Sequence, residues 1–277
     1  MTRTVQVLAA AIFAAVIVLS GVANGDARAG QLLSFDVGAP AGKPLRLLGY
    51  LVKPAGSGPH PAVVVLHSCA GFSNHTVTWA DALAQMGYVA LAIDSFQPRG
   101  ITERCTMGFQ DQTLDAWAAR DYLAGQPYVK ADSIGVVGFS MGGGSALALM
   151  ERGLVEQLHS DKFKVAVAFY PARCAAYSGE MIGPTLILIG EKDDWTLARD
   201  CRDMVEGKNG LGVTRRPADR SMIEFISYPD ARHAFDFPEL RFIPGYSAFG
   251  HWIAYDDAAT RAARKKVYEF LRHNLPP

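Results

Sequence analysis

The sequence predicts an α/β protein, a three-layer sandwich in which a mostly parallel central sheet carries helices on both faces. Three observations indicate this fold. Residues 62–67 are predicted to be a fully buried strand, because five consecutive apolar residues precede His67, and such runs are typical of strands buried on both faces of a parallel sheet. Strand-like and helix-like segments alternate from there to the end of the chain. The 277 residues are 49% hydrophobic, which is enough to bury one full core.

The elements follow in order along the chain. Residues 45–52 are an extended segment, and a turn cluster rich in proline and glycine leads from it into the first buried strand. The later predicted strands are residues 88–93, 133–139, 164–169, 185–189 and 222–228. The predicted helices are residues 79–86, 113–124, 141–152, 195–206 and 256–275. Residues 207–220 and 235–252 are not assigned, and loops beyond strand ends are where such folds bind substrates.

Residues 1–29 have the features of a secretory signal peptide. Arg3 gives a positive start, residues 5–19 are nearly all apolar, and small residues follow. Cleavage after Ala23 and cleavage after Ala29 both satisfy the small-x-small rule. An apolar run of about 15 residues is shorter than the roughly 20 that span a bilayer, so no stable membrane insertion is expected after its removal. A single domain of residues 30–277 is therefore expected in a secreted or periplasmic location.

Charge and cysteine content narrow the function further. The formal net charge is zero and 19% of residues are charged, which argues against a nucleic-acid partner and favours a small neutral substrate. Four cysteines in an exported chain allow three disulfide connectivities, among which counting does not choose. We expect Cys69–Cys105 and Cys174–Cys201, because each pair would tie a loop near the candidate site to its neighbour. The chain has no C-x-x-C sequence, so no metal site is expected.

The most informative motif is Gly138-Phe139-Ser140-Met141-Gly142. It follows a predicted strand and precedes a helix of small residues. A G-x-S-x-G turn between strand and helix holds its serine in a strained conformation, and the flanking glycines avoid backbone collisions. The motif predicts Ser140 as a nucleophile. The alternative is a glycine-rich helix start that only packs tightly.

A serine nucleophile needs a base, and the base needs an acid that orients it. In a fold of this kind the serine comes first along the chain, the acid second and the histidine third. Asp193 and Asp194 both lie just after the strand at 185–189, where the acid is expected. The spacing Gly190-x-x-Asp193 favours Asp193 as the acid. Asp194 is then expected to cap the helix that opens at Trp195.

Three histidines follow the acid. His233 lies in the loop directly after the strand at 222–228, where the base belongs. His251 lies in the unassigned aromatic stretch, and His273 lies on the last helix among charged residues. We therefore predict His233 as the base. The alternative is a loop histidine with a purely local hydrogen bond.

An oxyanion hole requires two backbone amide donors. The amide of Met141, directly after the nucleophile, is predicted to be one. The second is expected in the loop His67-Ser68-Cys69-Ala70-Gly71, which follows the first buried strand. We assign it to the backbone of Cys69, a role that is compatible with a disulfide.

Five ordered motifs together resemble the dienelactone hydrolase family of α/β-hydrolases, specifically its exported branch with a serine nucleophile. They are residues 64–71, 87–96, 138–143, 190–195 and 233–235. By this resemblance Ser140, Asp193 and His233 match the nucleophile, acid and base of the family. Two positions depart from the enzymes that name the family, which carry cysteine as nucleophile and glutamate where this chain has Ser68. These departures suit an ordinary serine triad and argue against dienelactone itself as substrate.

The resemblance and the aromatic stretch also suggest substrate contacts. By this resemblance Arg99 lies near an arginine that the family uses on a substrate carboxylate, although the local spacing differs, and the alternative is that Arg99 only anchors the loop to Cys105. The aromatic residues expected to line a pocket are Phe235, Phe237, Phe242, Tyr246, Phe249 and Trp252. Ordinary packing is the alternative for these residues, and Phe235 and Trp252 are retained as candidate contacts.

These observations favour a serine hydrolase that cleaves carboxylic esters or lactones of small molecules through an acyl-enzyme. No cofactor is expected, because the triad supplies the nucleophile, the proton shuttle and the oxyanion donors. The alternatives are a peptidase or amidase with the same triad, and a non-catalytic binding protein of the same fold.

Overall fold

The structure, a computed structural model, describes residues 30–37, 45–153, 155–156, 159–211, 222–243 and 247–277. Within these residues the chain forms a sheet of eight strands in the order β1-β2-β4-β3-β5-β6-β7-β8. The strands are β1 Gln31–Val37, β2 Leu45–Val52, β3 His60–Leu66, β4 Val89–Asp94, β5 Val129–Phe139, β6 Ala166–Phe169, β7 Thr185–Gly190 and β8 Ile223–Tyr228. The pairs β1–β2 and β2–β4 are antiparallel and the others are parallel. The predicted mostly parallel sheet is confirmed.

Helices alternate with the strands. They are α1 Asn74–Gln85, α2 Thr113–Ala124, α3 Met141–Ala148, α4 Ala198–Glu206 and α5 Asp257–Asn274. A short 3₁₀ helix, Pro238–Phe242, and a small hairpin of β9 Ser247–Ala248 and β10 His251–Trp252 lie in the aromatic stretch. Residues 62–66 of β3 are all fully buried. Because successive strand residues point to opposite faces, both faces of the sheet are covered at its centre.

Several element boundaries differ from the sequence prediction. Strand β1 was not predicted, because this edge strand has only two buried residues and lacks a long apolar run. Helix α1 begins at Asn74 rather than at residue 79, since its first turn buries the polar residues His75 and Thr76. Helix α4 begins at Ala198 instead of Trp195, because a hydrogen-bonded turn occupies the intervening residues.

Both expected disulfides are confirmed. Cys69 is bonded to Cys105, and Cys174 to Cys201. Among the residues that the structure describes, no helix is both long and apolar enough to cross a membrane. The predicted signal peptide, most of the loop at 207–220 and Tyr246 lie outside the described residues.

The parallel strands bring distant residues to one edge of the sheet. Cys69 follows β3, Ser140 follows β5, Asp193 follows β7 and His233 follows β8. All four strands run in the same direction, so the loops after them lie at the same edge. In open α/β sheets this carboxyl edge is the usual position of a ligand site.

Candidate active site

Ser140 lies at the tip of a strained turn between β5 and α3. Its backbone has φ 53° and ψ −110°, which is unusual for a residue with a side chain. Three hydrogen bonds hold this conformation. The Ser140 amide donates to the carbonyl of Phe169, and the Ser140 carbonyl accepts from the amides of Gly144 and Ala172. The serine hydroxyl is thereby fixed at the edge of the sheet.

The two glycines of the motif are required by close backbone contacts. A Cβ atom at Gly138 would lie 2.1 Å from the carbonyl oxygen of Gly142. A Cβ atom at Gly142 would lie 2.6 Å from the carbonyl oxygens of both Leu66 and His67. These contacts are too short for any side chain, so the turn packs directly onto the end of β3.

The structure brings Ser140, His233 and Asp193 together in one hydrogen-bonded row. His233 Nε2 lies 3.0 Å from Ser140 Oγ, and His233 Nδ1 lies 2.8 Å from Asp193 Oδ2. All three residues are buried, with 3 to 5% of their surface exposed. The order of hydroxyl, imidazole and carboxylate is the one that activates a serine in hydrolases.

Additional donors hold the Asp193 carboxylate. Its Oδ1 atom accepts from the amides of Trp195 and Thr196, each at 2.9 Å, and Thr196 Oγ1 lies 2.8 Å from Oδ2. Burial raises the pKa of Asp193, but His233 and the hydrogen bonds of Thr196 and Trp195 outweigh it and hold that pKa below its ordinary value. The carboxylate therefore stays ionised beside His233. Sequence reasoning did not identify Thr196.

Asp194 has a different position from the one expected. It does not cap a helix, since α4 begins only at Ala198 with Leu197 at the cap position. Its carboxylate instead accepts from the amide of Trp252 at 3.1 Å and lies 3.7 Å from His251. Asp194 therefore ties the aromatic stretch to the turn after β7, and the cap prediction is wrong.

A second buried carboxylate, Asp236, is linked to His233 through the side chain of Tyr170. Asp236 accepts hydrogen bonds from His75 at 2.9 Å, Trp79 at 2.8 Å and the Tyr170 hydroxyl at 2.6 Å. The Tyr170 ring in turn meets the His233 ring edge-on, with centroids 4.8 Å apart. Burial raises the pKa of Asp236, but its His75, Tyr170 and Trp79 partners outweigh that effect and lower the pKa. This network was missed by sequence reasoning.

Met141 and Cys69 line the same cavity as Ser140. Neither of their backbone amides donates a hydrogen bond to another described group. The peptide that carries the Cys69 amide is held in place, because the Ser68 carbonyl accepts from His67 Nδ1 at 2.7 Å and from the Gly71 amide at 3.1 Å. The loop that carries the Cys69 amide is therefore held in place at the cavity that Ser140 lines.

His67 keeps this loop in position as a neutral ring. Burial lowers the pKa of His67, so its unprotonated Nε2 atom accepts from the amide of Ser95 at 3.2 Å. The side-chain amide of Gln112 donates to the His67 carbonyl at 2.9 Å, and the Cys69 carbonyl accepts from the Arg104 amide at 2.8 Å. The loop is thus fastened on both sides of Cys69.

Two cavities open next to Ser140. The larger, of about 320 Å³, is called the arginine cavity here because Arg104 and Arg173 line it, together with Met141 and Phe109. The smaller, of about 90 Å³, is called the apolar cavity. Beside His233, Tyr170 and Trp195, its walls are formed by Ala234, Phe237, Leu240, Ala248, Phe249 and Ile253. Ser140, Cys69, Cys105 and Trp195 line both cavities.

Three predicted substrate contacts do not reach either cavity. Phe235 is fully buried and packs against Tyr170, so it is a core residue. Trp252 is half exposed and lines neither cavity. Arg99 makes two hydrogen bonds to the buried carboxylate of Asp115, at 2.7 and 2.8 Å, which fixes it in the loop after β4. These positions correct the roles expected for Phe235, Trp252 and Arg99.

The arginines that do line a cavity were missed by sequence reasoning. Arg104 directly precedes Cys105, and Arg173 directly precedes Cys174. Both cysteines belong to disulfides that were expected near the site, so this adjacency was the available signal. Within the described ranges, no group of three or more His, Cys, Asp or Glu side chains could hold a metal ion.

Comparison with known proteins agrees with this architecture. The family model of the dienelactone hydrolase family matches residues 47–275. A protein of Bradyrhizobium, described as a probable 2-oxo-3-(5-oxofuran-2-ylidene)propanoate lactonase, is 27% identical over 211 residues, which cover 68% of this chain and 78% of that protein.

Solved structures show the same fold. A dienelactone hydrolase from Anabaena variabilis matches with a TM-score of 0.62 at 19% identity, over 89% of this chain and 99% of that chain. A dienelactone hydrolase-like promiscuous phosphotriesterase from metagenomic libraries matches with a TM-score of 0.61 at 21% identity, over 89% and 99%. The family match spans strands β3 to β8 and all the site residues described above. The chain therefore belongs to the dienelactone hydrolase family and is a carboxylic ester hydrolase.

Proposed function

We propose that this chain hydrolyses carboxylic esters or lactones of small molecules through an acyl-enzyme formed on Ser140. The observation that carries the proposal is the buried row from Ser140 through His233 to Asp193, with contacts of 3.0 and 2.8 Å. The two unpartnered amides of Met141 and Cys69 support it, because both residues line a cavity with Ser140 and an oxyanion requires such donors.

The first half of the reaction forms the acyl-enzyme. Ser140 Oγ attacks the carbonyl carbon while its proton passes to His233 Nε2, and the carbonyl oxygen becomes an oxyanion held by the two amides. Asp193 keeps Nδ1 protonated and stabilises the imidazolium. The C–O bond to the alcohol then breaks, and His233 Nε2 gives its proton to the leaving oxygen. Ser140 now carries the acyl group.

The second half uses water in place of the alcohol. His233 Nε2 accepts a proton from a water molecule as its oxygen attacks the acyl carbon. The same oxyanion site holds the second intermediate. When the bond to Ser140 Oγ breaks, the proton returns from His233 to the serine and the carboxylic acid is released. The cycle consumes one water and needs no other reactant.

Two arginines favour a substrate that carries a carboxylate. Arg104 and Arg173 line the larger cavity, and no described carboxylate forms an ion pair with either guanidinium. Guanidinium groups bind carboxylates through paired hydrogen bonds. The name of the Bradyrhizobium relative describes a propanoate with an oxofuran lactone ring. Because the cavity is locally positive, we propose an anionic substrate in place of the neutral one expected from the net charge of the whole chain.

We also propose that residues 1–29 direct export and that the mature enzyme works in an oxidising compartment. The apolar run at 5–19 with small residues after it supports this. The two disulfides support it independently, because such bonds persist mainly in exported proteins.

The direct test of the proposal is covalent labelling by a fluorophosphonate, followed by intact mass measurement. The activated Ser140 is expected to displace fluoride and gain one phosphonyl group per chain. The Ser140→Ala variant is the control and should gain none. Unlabelled wild-type protein with a folded circular dichroism spectrum would contradict the triad and favour the non-catalytic alternative.

Loss of the Cys69–Cys105 disulfide is expected to lower kcat while KM changes much less. The Cys69→Ala/Cys105→Ala double variant keeps both backbone amides but frees the loop that carries one of them. Because removal of one oxyanion donor costs about 10² to 10³ in kcat, partial misplacement should cost about ten- to a hundred-fold. Steady-state kinetics on an activated ester measure this.

The second disulfide provides a matched comparison. Its cysteines are 27 residues apart, against 36 for the first pair, and neither contributes an oxyanion amide. The Cys174→Ala/Cys201→Ala variant should lose a similar share of thermal stability with a smaller fall in kcat. Equal falls in kcat for both double variants would show that the effect comes from stability alone.

A further inference from the structure

The two cavities differ in which parts of the catalytic machinery they contain. Ser140 lines both. His233 lines the apolar cavity but not the arginine cavity, while Met141 lines the arginine cavity but not the apolar one. The base and one oxyanion donor therefore lie on opposite sides of the nucleophile. An extended ester bound at Ser140 has one half on each side.

The position of His233 decides which half lies where. In the step that forms the acyl-enzyme, His233 Nε2 donates its proton to the leaving oxygen, so that oxygen must come within about 2.6 to 3.2 Å of Nε2. The alcohol is attached to this same oxygen and must therefore leave on the side of His233. That side is the apolar cavity.

The chemistry of the walls agrees with this direction. Apart from His233 and the Tyr170 ring, the apolar cavity is lined by small polar residues and by apolar and aromatic ones, of which Trp195, Phe237 and Phe249 are the largest. A carboxylate there would lose its hydration without finding a cationic side chain. The arginine cavity offers two guanidinium groups against one lining carboxylate, Asp200. The charged half of the substrate belongs on that side.

We infer that the enzyme acts on open-chain monoesters of dicarboxylic acids, with the charged acyl half beside Arg104 and Arg173 and a short apolar alcohol in the apolar cavity. This inference rests on the proposed function and names its substrate class. The apolar cavity, of about 90 Å³, is less than a third of the size of the arginine cavity, of about 320 Å³, which favours a short alcohol.

Two residues control the two halves separately. Ala248 lies on β9 with its side chain buried at the wall of the apolar cavity, so a larger residue there shortens the space for the alcohol. Arg173 lines only the arginine cavity, where its guanidinium stacks over Phe109. Methionine at position 173 keeps a long apolar stem and removes the charge.

The test measures kcat/KM for monomethyl, monobutyl and monooctyl succinate, and for butyl butanoate as the neutral acyl analogue. In the wild-type enzyme, monobutyl succinate should exceed the other three by about tenfold or more. Ala248→Leu should lower the ratio of butyl to methyl succinate about tenfold. Arg173→Met should lower the ratio of butyl succinate to butyl butanoate about tenfold and leave the butyl-to-methyl ratio as it is.

A second variant covers the case in which Ala248→Leu does not fold. Leu240→Ala enlarges the apolar cavity and should raise the ratio of octyl to butyl succinate. The inference is overturned if Arg173→Met changes the alcohol ratios while Ala248→Leu or Leu240→Ala changes the acyl ratio, or if no variant alters either. Failure of the proposed function looks different, because then no ester is hydrolysed and fluorophosphonate leaves the mass of the wild-type protein unchanged.

Discussion

The Ser140→Ala variant is expected to lose about 10⁵ to 10⁶ in kcat with little change in KM, because removing the nucleophile leaves only binding and the oxyanion donors. The variant should fold, since Ser140 Oγ has His233 as its hydrogen-bond partner and no structural bond depends on it. The strained backbone of the turn is held by main-chain bonds that alanine keeps. Single-turnover and steady-state rates on one activated ester measure the loss.

Ser95 supplies the matched control for this prediction. It is as deeply buried as Ser140 and its amide bonds to His67, yet its hydroxyl has no hydrogen-bond partner among the described residues. The kcat of Ser95→Ala should therefore stay within about threefold of the wild-type value, because removing this hydroxyl breaks no hydrogen bond. If Ser140→Ala kept more than one hundredth of the wild-type rate after repurification, the nucleophile would have to be another residue.

The Asp193→Asn variant is expected to lose on the order of 10⁴ in kcat, the effect of an amide in place of a triad carboxylate. The amide group would donate to His233 Nδ1 and so place the ring proton on Nε2. In that tautomer Nε2 cannot accept the proton of Ser140. The turn itself should survive, because the amide oxygen can still accept from Trp195 and Thr196, which now bond to Asp193 Oδ1.

The neighbouring Asp194→Asn variant distinguishes the two candidate acids. Asp194 is half exposed and contacts the Trp252 amide and His251, so its amide can keep the bond to the Trp252 amide. Its kcat should stay within a few-fold of wild type, as for other surface changes. A large loss in Asp194→Asn with activity retained in Asp193→Asn would reverse the assignment of the acid.

Local pattern and spacing were sufficient for the residues that follow strands. Ser140 comes from a five-residue motif, and His233 and Asp193 come from their places after β8 and β7. These positions are set by the sheet, since each strand must be buried and each loop after it reaches the same edge. For the same reason the two disulfides could be expected near the site.

The supporting residues could not be found in this way. Asp236 meets His75 across 161 residues of sequence, and nothing local to either marks the contact. The choice between Arg99 and Arg104 depends on the path of an irregular loop, in which Asp115 captures Arg99 and leaves Arg104 at the cavity. Tertiary packing determines both the contact between Asp236 and His75 and the arginine that reaches the cavity. The sequence pattern of one chain does not show such packing.

The Cys69–Cys105 bond also determines where active protein can be produced. A host cytosol keeps thiols reduced, so a chain made there would fold without the covalent link between Cys69 and Cys105, and only hydrogen bonds would hold the loop that carries Cys69. Full specific activity is then obtained only by routing expression through an oxidising compartment or by refolding with a thiol–disulfide couple. The amount of soluble protein then no longer equals the amount of fully active enzyme. Titration of free thiols measures the fraction of chains that lack the disulfide bonds.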